Sequence, residues 1–228
     1  PSLLTIAIDT SNNVLCHGGS TGMINLLVSG GTSPFSYLWS NNYTTDQISL
    51  LPAGSYICTV TDSNACIDSI TVIITEPDSM NITVTISNVS CNAGSDGSIN
   101  INILGGTSPY SYIWSNGQTI EDISNLSAGN YDITITDNNL CVLTASFVII
   151  EPLQALAGIY SQVNVACQGD STGSIDLTIT GGTLPYNYLW SNGQTVEDIN
   201  NLPTGIYNFT ITDANACSYS DMVNISEP

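Results

Sequence analysis

The sequence has no lysine, no arginine and a single histidine, His17. Against these stand 19 Asp and Glu, giving a formal net charge of −19. Nucleic-acid binding is excluded, because phosphate contacts need Lys or Arg. Anionic membrane surfaces are disfavoured for the same reason. Lys–Asn isopeptide cross-links are excluded, and a trypsin-like protease finds no site to cut. No stretch shows helical periodicity with caps, and no apolar run approaches the ~20 residues of a membrane span, so this segment is not expected to insert in a membrane. The chain starts without an initiating Met or a signal peptide and begins and ends on repeat boundaries. It therefore reads as a piece of a longer array.

What is present is repetition. YLWSNN begins at Tyr37, YIWSNG at Tyr112 and YLWSNG at Tyr188. Cys16, Cys91 and Cys167 each stand 14 residues before a Gly-Gly pair, whose first members are Gly30, Gly105 and Gly181. Each of these glycines stands 9 residues before Trp39, Trp114 or Trp190. LPAGSY, LSAGNY or LPTGIY follows, then TDSNAC, TDNNLC or TDANAC, and each repeat closes on Glu-Pro. The domains expected are residues 1–76, 77–151 and 152–228. Asn42 stands where the other copies have Gly117 and Gly193. Asn is the usual non-Gly occupant of the left-handed region, so the same turn is expected in all three.

Period-2 alternation dominates. Ile99, Ile101 and Ile103 alternate with Asn100 and Asn102, and Tyr131, Ile133 and Ile135 with Asp132 and Thr134. With turns every 8–12 residues, each repeat should hold six or seven short strands in an all-β, immunoglobulin-like sandwich. A Trp on a mid-repeat strand and a Leu-x-x-Gly-x-Tyr corner fit that class. The last strand, Val142 to Ile150 in the second repeat, is a longer apolar-rich run.

Seven cysteines suit an oxidising compartment. Six form pairs spaced by 50, Cys16–Cys66, Cys91–Cys141 and Cys167–Cys217. That regularity predicts one disulfide per repeat, near one end of the sandwich. The seventh, Cys58, aligns with the inward positions Ile133 and Phe209, and is expected to be a buried free thiol serving as a small hydrophobe.

These spacings resemble the SprB-type repeat of large gliding-motility adhesins and other surface proteins of the Bacteroidota, and more loosely PKD-type domains. The string Y-x-W-S-N-G-Q-T, then L-x-x-G-x-Y, T-D-x-N-x-C and E-P carries the likeness through all three repeats. Repeat one departs at Asn42-Tyr43 and at Cys58. The resemblance implies an extracellular array, exported by the type IX route and held on the outer membrane of a Gram-negative bacterium. It would work in surface adhesion or gliding motility, meeting extracellular surfaces or polysaccharides and self-associating into filaments. It supplies no binding residue to carry over.

The chemistry on offer is sparse. His17 sits beside Cys16, and its counterparts are Asn92 and Gln168, so a polar loop explains it. Glu121-Asp122 and Glu197-Asp198 are neighbours on a strand and face opposite ways. No enzyme is expected. Hard oxygen ligands suit Ca²⁺, and the recurring acids make Asp62, Asp137, Asp213, Glu76 and Glu151 candidate ligands. The Asp of T-D-x-N is equally explained by capping its own turn. Trp39, Trp114 and Trp190 fit the core better than a sugar platform, and the exposed aromatic candidates are Tyr43, Tyr160 and Tyr219. Ser69, Ser79 and Ser171 follow Asp in tripeptides that match the O-glycosylation pattern of this phylum. The leading expectation is a stalk of repeats in a surface adhesin. The alternatives are carbohydrate-binding modules, with or without Ca²⁺, and an accessory array on a secreted enzyme.

Overall fold

The computed structural model describes residues 2–228. Eighteen strands form six three-stranded sheets, and no helix forms among the described residues. In the first repeat the strands are β1 (Thr5–Asn12), β2 (Gly22–Ser29), β3 (Ser36–Trp39), β4 (Gln47–Leu51), β5 (Gly54–Thr61) and β6 (Ile67–Ile74). One sheet runs β1-β2-β4 and the other β3-β5-β6. The second repeat has the same order with β7 (Asn81–Ser87), β8 (Gly97–Leu104), β9 (Ser111–Trp114), β10 (Ile123–Leu126), β11 (Gly129–Thr136) and β12 (Val142–Ile149). The third has it with β13 (Ala157–Val163), β14 (Gly173–Thr180), β15 (Asn187–Trp190), β16 (Ile199–Leu202), β17 (Gly205–Thr212) and β18 (Ser218–Ile225). This is the split of an immunoglobulin-type sandwich, with one strand fewer in the first sheet.

By contact density the chain divides into two compact units. The first runs to Thr83 and adds Asn102–Ile120 and Ile133–Ala145. The second holds Val84–Ile101, Glu121–Asp132 and Ser146–Pro228.

Alternation places the core. In β8, Ile99, Ile101 and Ile103 are buried while Asn100 and Asn102 face solvent. In β17, Tyr207, Phe209 and Ile211 point inward. Trp39 and Trp190 each sit at the heart of their repeat's apolar cluster. All three tryptophans are about 1% exposed. Each indole N–H donates to a carbonyl six residues on, at Thr45, Ile120 or Val196, over 2.8–2.9 Å. Cys58 is a free thiol with no exposed surface, cross-strand from Trp39. Burial pushes its thiol pKa up, which keeps it protonated and inert.

The Leu-x-x-Gly-x-Tyr corner closes as expected. Tyr56, Tyr131 and Tyr207 each donate their hydroxyl to the carbonyl four residues back, at Pro52, Ser127 and Pro203, over 2.9–3.0 Å.

The turn after the Trp strand is the same in all three repeats, as expected. The Trp–Ser–Asn–Gly turn has a positive φ only at Asn42, Gly117 and Gly193, not at the preceding Asn. Asn42 N–H donates to the Trp39 carbonyl and Trp39 N–H to the Tyr43 carbonyl. This is a three-residue loop with one left-handed residue. It leads from one sheet into the other, since β3 pairs with β5 and β4 with β2. The apolar-rich run of β12 turns only one side inward. It is an outer strand, and Val142 and Val148 are more than half exposed.

Each Gly-Gly pair has a structural cause. Gly30, Gly105 and Gly181 have φ near +70°, and a Cβ on them would lie about 2 Å from the carbonyl oxygen of Leu3, Ser79 or Ala155. Only glycine lets the strand end pass that close to the segment entering the repeat.

Candidate functional site

Two poles of each repeat carry the recurring polar residues. At the entry pole lies the turn after the Tyr strand. Asp62 Oδ1 accepts the N–H groups of Asn64 and Cys66, and its Oδ2 accepts that of Thr32, all within 2.9 Å. Asp137 holds Asn139, Cys141 and Thr107 in the same way, and Asp213 holds Asn215, Cys217 and Thr183. All three carboxylates are buried. The N–H of Cys66, followed by those of Thr32 and Asn64, draws the Asp62 pKa below its ordinary value of 3.8.

At the exit pole lies the turn after the first strand. Gly19 N–H donates to the Cys16 carbonyl, and Gly18 N–H to Glu76 Oε2 at 2.6 Å. Ala93 N–H bonds Glu151, and Gly169 N–H bonds Glu227. The closing glutamate of each repeat therefore caps that repeat's own cysteine turn. His17 Nδ1 lies 3.1 Å from the Pro77 carbonyl and 3.4 Å from Glu76 Oε1. Asn92 Nδ2 makes the matching bond to Pro152 at 2.9 Å. His17 thus acts as a polar tie in the loop, and its neighbour Cys16 is no free nucleophile.

The disulfide pairing differs from the one predicted. Cys16 is bonded to Cys141, and Cys91 to Cys217. Cys66 and Cys167 are free and exposed. No bridge joins Cys16 to Cys66, Cys91 to Cys141 or Cys167 to Cys217. The reason is geometric. Cys16 follows the far end of β1, while Cys66 lies beside the segment that enters β1. Eight residues of strand separate the poles by roughly 25 Å at ~3.3 Å per residue, and a disulfide needs Cα atoms within about 7 Å. The exit-pole cysteine of one repeat instead meets the entry-pole cysteine of the next, with Cα atoms 5.7 Å apart in both bridges.

Each of these junctions lies inside one compact unit and carries a second tie. In the first unit, Asn139 Nδ2 donates to the Leu15 carbonyl, one residue before Cys16, at 2.9 Å. In the second, Asn215 Nδ2 donates to the Ser90 carbonyl, one residue before Cys91, at 3.1 Å. The T-D-x-N-x-C turn is therefore a docking element. Its Asp fixes the turn inward, while its Asn and Cys reach the preceding repeat. Beside the bridges lie clefts of about 400 Å³ in the first unit and about 230 Å³ in the second.

The carboxylates considered for Ca²⁺ are used inward. Asp62, Asp137 and Asp213 each take three N–H donors, and Glu76 and Glu151 each cap a turn. Among the described residues, no three His, Cys, Asp or Glu gather as a metal-binding set. Of the aromatic candidates, Tyr43 and Tyr160 are exposed and Tyr219 is half-buried. Tyr160 stands edge-on to Phe209 at 6.4 Å, and Tyr219 lies tilted against the same ring at 6.2 Å. Tyr43 is about half exposed. Ser69, Ser79 and Ser171 are all at the surface.

The fold and its junctions define a tandem array of immunoglobulin-like β-sandwich repeats. The repeats are SprB repeats. That family's sequence model matches residues 8–44, 83–119 and 159–195, and the chain belongs to this family of cell-surface adhesin-type repeats. No curated protein sequence matches the chain. Among solved structures it is similar to the N-terminal eight Ig domains of Down syndrome cell adhesion molecule, at 14% identity and a TM-score of 0.44, covering 98% of this chain and 36% of that one. It is similar to Sidekick-1 immunoglobulin domains 1–5, at 11% identity and 0.38, covering 97% and 58%. A third likeness is to extracellular domains 3–5 of Drosophila OTK, at 13% and 0.31, covering 98% and 97%. The chain thus spans about a third of the first and just over half of the second. The fold assignment rests on the strand order and core described above.

Proposed function

We propose that this chain is a non-catalytic stretch of the stalk of a large bacterial surface adhesin, displayed outside the cell on the outer membrane and working in surface attachment or gliding. The observation that carries this reading is the junction. Every pair of successive repeats is locked by a disulfide, an Asn–carbonyl bond and a Glu-capped loop, which suits a module whose task is to hold its neighbour. A surface without cations repels its copies and withstands trypsin-like proteases, as an extracellular spacer should. Export by the type IX route and assembly into filaments belong to the same reading.

The carbohydrate-binding alternative gains less support. The repeated tryptophans are buried and offer sugar no stacking face. The exposed side chain that does recur is aliphatic, at Leu38, Ile113 and Leu189, each about 60% exposed. Such positions suit contact with apolar material rather than glycan. The test is binding of the three-repeat chain to a panel of polysaccharides and abiotic surfaces, with and without Ca²⁺. A stalk gives no saturable binding to any glycan. Saturable binding to a defined glycan would make each repeat a lectin-like module and overturn the spacer reading.

A further inference from the structure

The second and third repeats each carry an Asn-Gly pair at the tip of the turn after the Trp strand, Asn116-Gly117 and Asn192-Gly193. Both asparagines are exposed. In an Asn-Gly pair the backbone nitrogen reaches the preceding carboxamide with little hindrance, because glycine has no Cβ and visits conformations closed to other residues. Apart from chain neighbours, no atom lies within 4 Å of where a Cβ on Gly117 or Gly193 would stand, so bulk does not shield the tip. Hydrogen bonds do. Gly117 N–H donates to the Trp114 carbonyl and Gly193 N–H to the Trp190 carbonyl, both at 2.9 Å. Asn116 Oδ1 accepts the Gln118 N–H at 3.1 Å, and Asn192 Oδ1 the Gln194 N–H at 3.2 Å. The glycine nitrogen thus keeps its proton on a carbonyl, and the carboxamide is turned to the residue beyond. Trp114 and Trp190 N–H groups close the loop on the Gln118 and Gln194 carbonyls at 2.9 Å, and their buried rings anchor it. The first repeat has Asn41-Asn42-Tyr43 here, so each of its asparagines is followed by a residue with a side chain.

We infer that Asn116 and Asn192 are latent deamidation sites, held closed by the folded turn and released when it opens. In the opened turn the Gly117 nitrogen gives its proton to a solvent base and attacks Asn116 Cγ. A new N–C bond forms, the bond from Cγ to the side-chain nitrogen breaks, and ammonia leaves with a proton in place of the one the amide gave up. Water then adds to one of the two carbonyls of the five-membered imide and breaks its bond to nitrogen. One cleavage leaves aspartate. The other leaves isoaspartate, which puts an extra carbon in the backbone before Gly117. No electrons are transferred. The same steps run at Asn192 and Gly193. Since the amide proton is released only on opening, the rate is the open population multiplied by the rate of an open chain, as in amide hydrogen exchange. A three-residue loop has no place for the added backbone carbon, so the turn does not reclose once isoaspartate forms. Opening of the second or third repeat therefore leaves a permanent mark. The first repeat carries no such site, because the side chains of Asn42 and Tyr43 hinder the approach of their own nitrogens. The inference stands apart from what the array grips, since a spacer and a lectin would share this turn.

The experiment incubates the full 228-residue chain at mildly alkaline pH, folded and in denaturant, and maps its peptides for aspartate and isoaspartate. In denaturant, Asn116 and Asn192 should convert well ahead of Asn41 and Asn42. In the folded chain both should convert more slowly by at least about tenfold, and by the factor that slows hydrogen exchange at the Gly117 and Gly193 amides. Gly117→Asn copies the first repeat, where Asn42 already takes the left-handed conformation. In denaturant it should slow Asn116 to the rate of Asn41 and leave Asn192 unchanged, a readout that does not depend on the variant folding. Equal rates in the folded and denatured chains would overturn the inference. So would conversion of Asn41 or Asn42 ahead of Asn116, or a G117N chain whose Asn116 still converts at the wild-type rate.

Discussion

Cys16 and Cys141 stand 125 residues apart in the sequence and 5.7 Å apart between their Cα atoms. Each belongs to a different repeat, and each is the end of a turn that its own repeat holds rigid. The sulfur bridge therefore joins two finished modules instead of stapling one unfinished core. Six strands, a tyrosine corner and a buried tryptophan leave each sandwich able to keep its form, and the cysteines serve the joint.

Removing a bridge should weaken the second unit strongly. Closing a ring of this size stabilises by about 5 kcal/mol in the chain-entropy treatment. C91S/C217S should lower the denaturant midpoint accordingly, with the slope unchanged. Mapping of the untreated protein should return Cys16–Cys141 and Cys91–Cys217. Recovery of Cys91 bonded to Cys141 would refute the inter-repeat pairing.

The tyrosine corner gives a smaller effect. Tyr207 is buried and its hydroxyl has one partner, the Pro203 carbonyl. Tyr207→Phe keeps the ring and loses that bond, so a cost of about 1 kcal/mol is expected in equilibrium unfolding.

A gain is expected at Leu50. It occupies the left-handed bulge of β4 at φ 57° and is 75% exposed, whereas the other repeats place Asn125 and Asn201 there. A branched apolar residue is strained in that region, and Asn tolerates it. Leu50→Asn should stabilise the first repeat by about 1 kcal/mol, read from chemical denaturation. A loss of stability would mean that Leu50 makes a contact of its own.

Acid should loosen the entry pole of the first repeat. The Asp62 pKa is held below 3.8 by the backbone N–H groups it accepts, that of Cys66 foremost. A folded pKa below the unfolded one contributes stability that is full above about pH 3.8 and is lost as the pH falls through the folded value. Denaturant midpoints of the wild type should therefore drop below that pH. D62N should be weaker at neutral pH and lack the Asp62 share of that drop. Parallel curves for the two proteins would show that the carboxylate charge is immaterial.

Much of the fold was legible because it is written in local chemistry. Alternation at Ile99, Ile101 and Ile103 gave the strand and its inner face. Leu-x-x-Gly-x-Tyr gave the corner, and the alignment of Cys58 with Phe209 gave a buried thiol. The junctions were not legible from spacing. A separation of 50 within a repeat and of 125 or 126 between repeats are equally regular, so arithmetic cannot choose between them. The choice depends on which pole each turn occupies, and that follows from strand topology. The same limit hid the purpose of the T-D-x-N-x-C acid. Capping accounted for the Asp, but the Asn reaching the carbonyl of Leu15 or Ser90 needed the next repeat in place. The glycine pairs showed a signal without a cause until the entering segment was seen to pass against them.

The two disulfide rings overlap, and the stretch from Cys91 to Cys141 belongs to both. A single backbone cut anywhere between Cys16 and Cys217 therefore leaves the two ends of the chain covalently connected. Under tension, with every sheet pulled open, the shared stretch would come taut before the longer route from Cys141 to Cys217. The chain could then lengthen only by that stretch and its two short tails. Its extensibility and its tolerance of nicking are both set by where two sulfur bonds cross repeat boundaries.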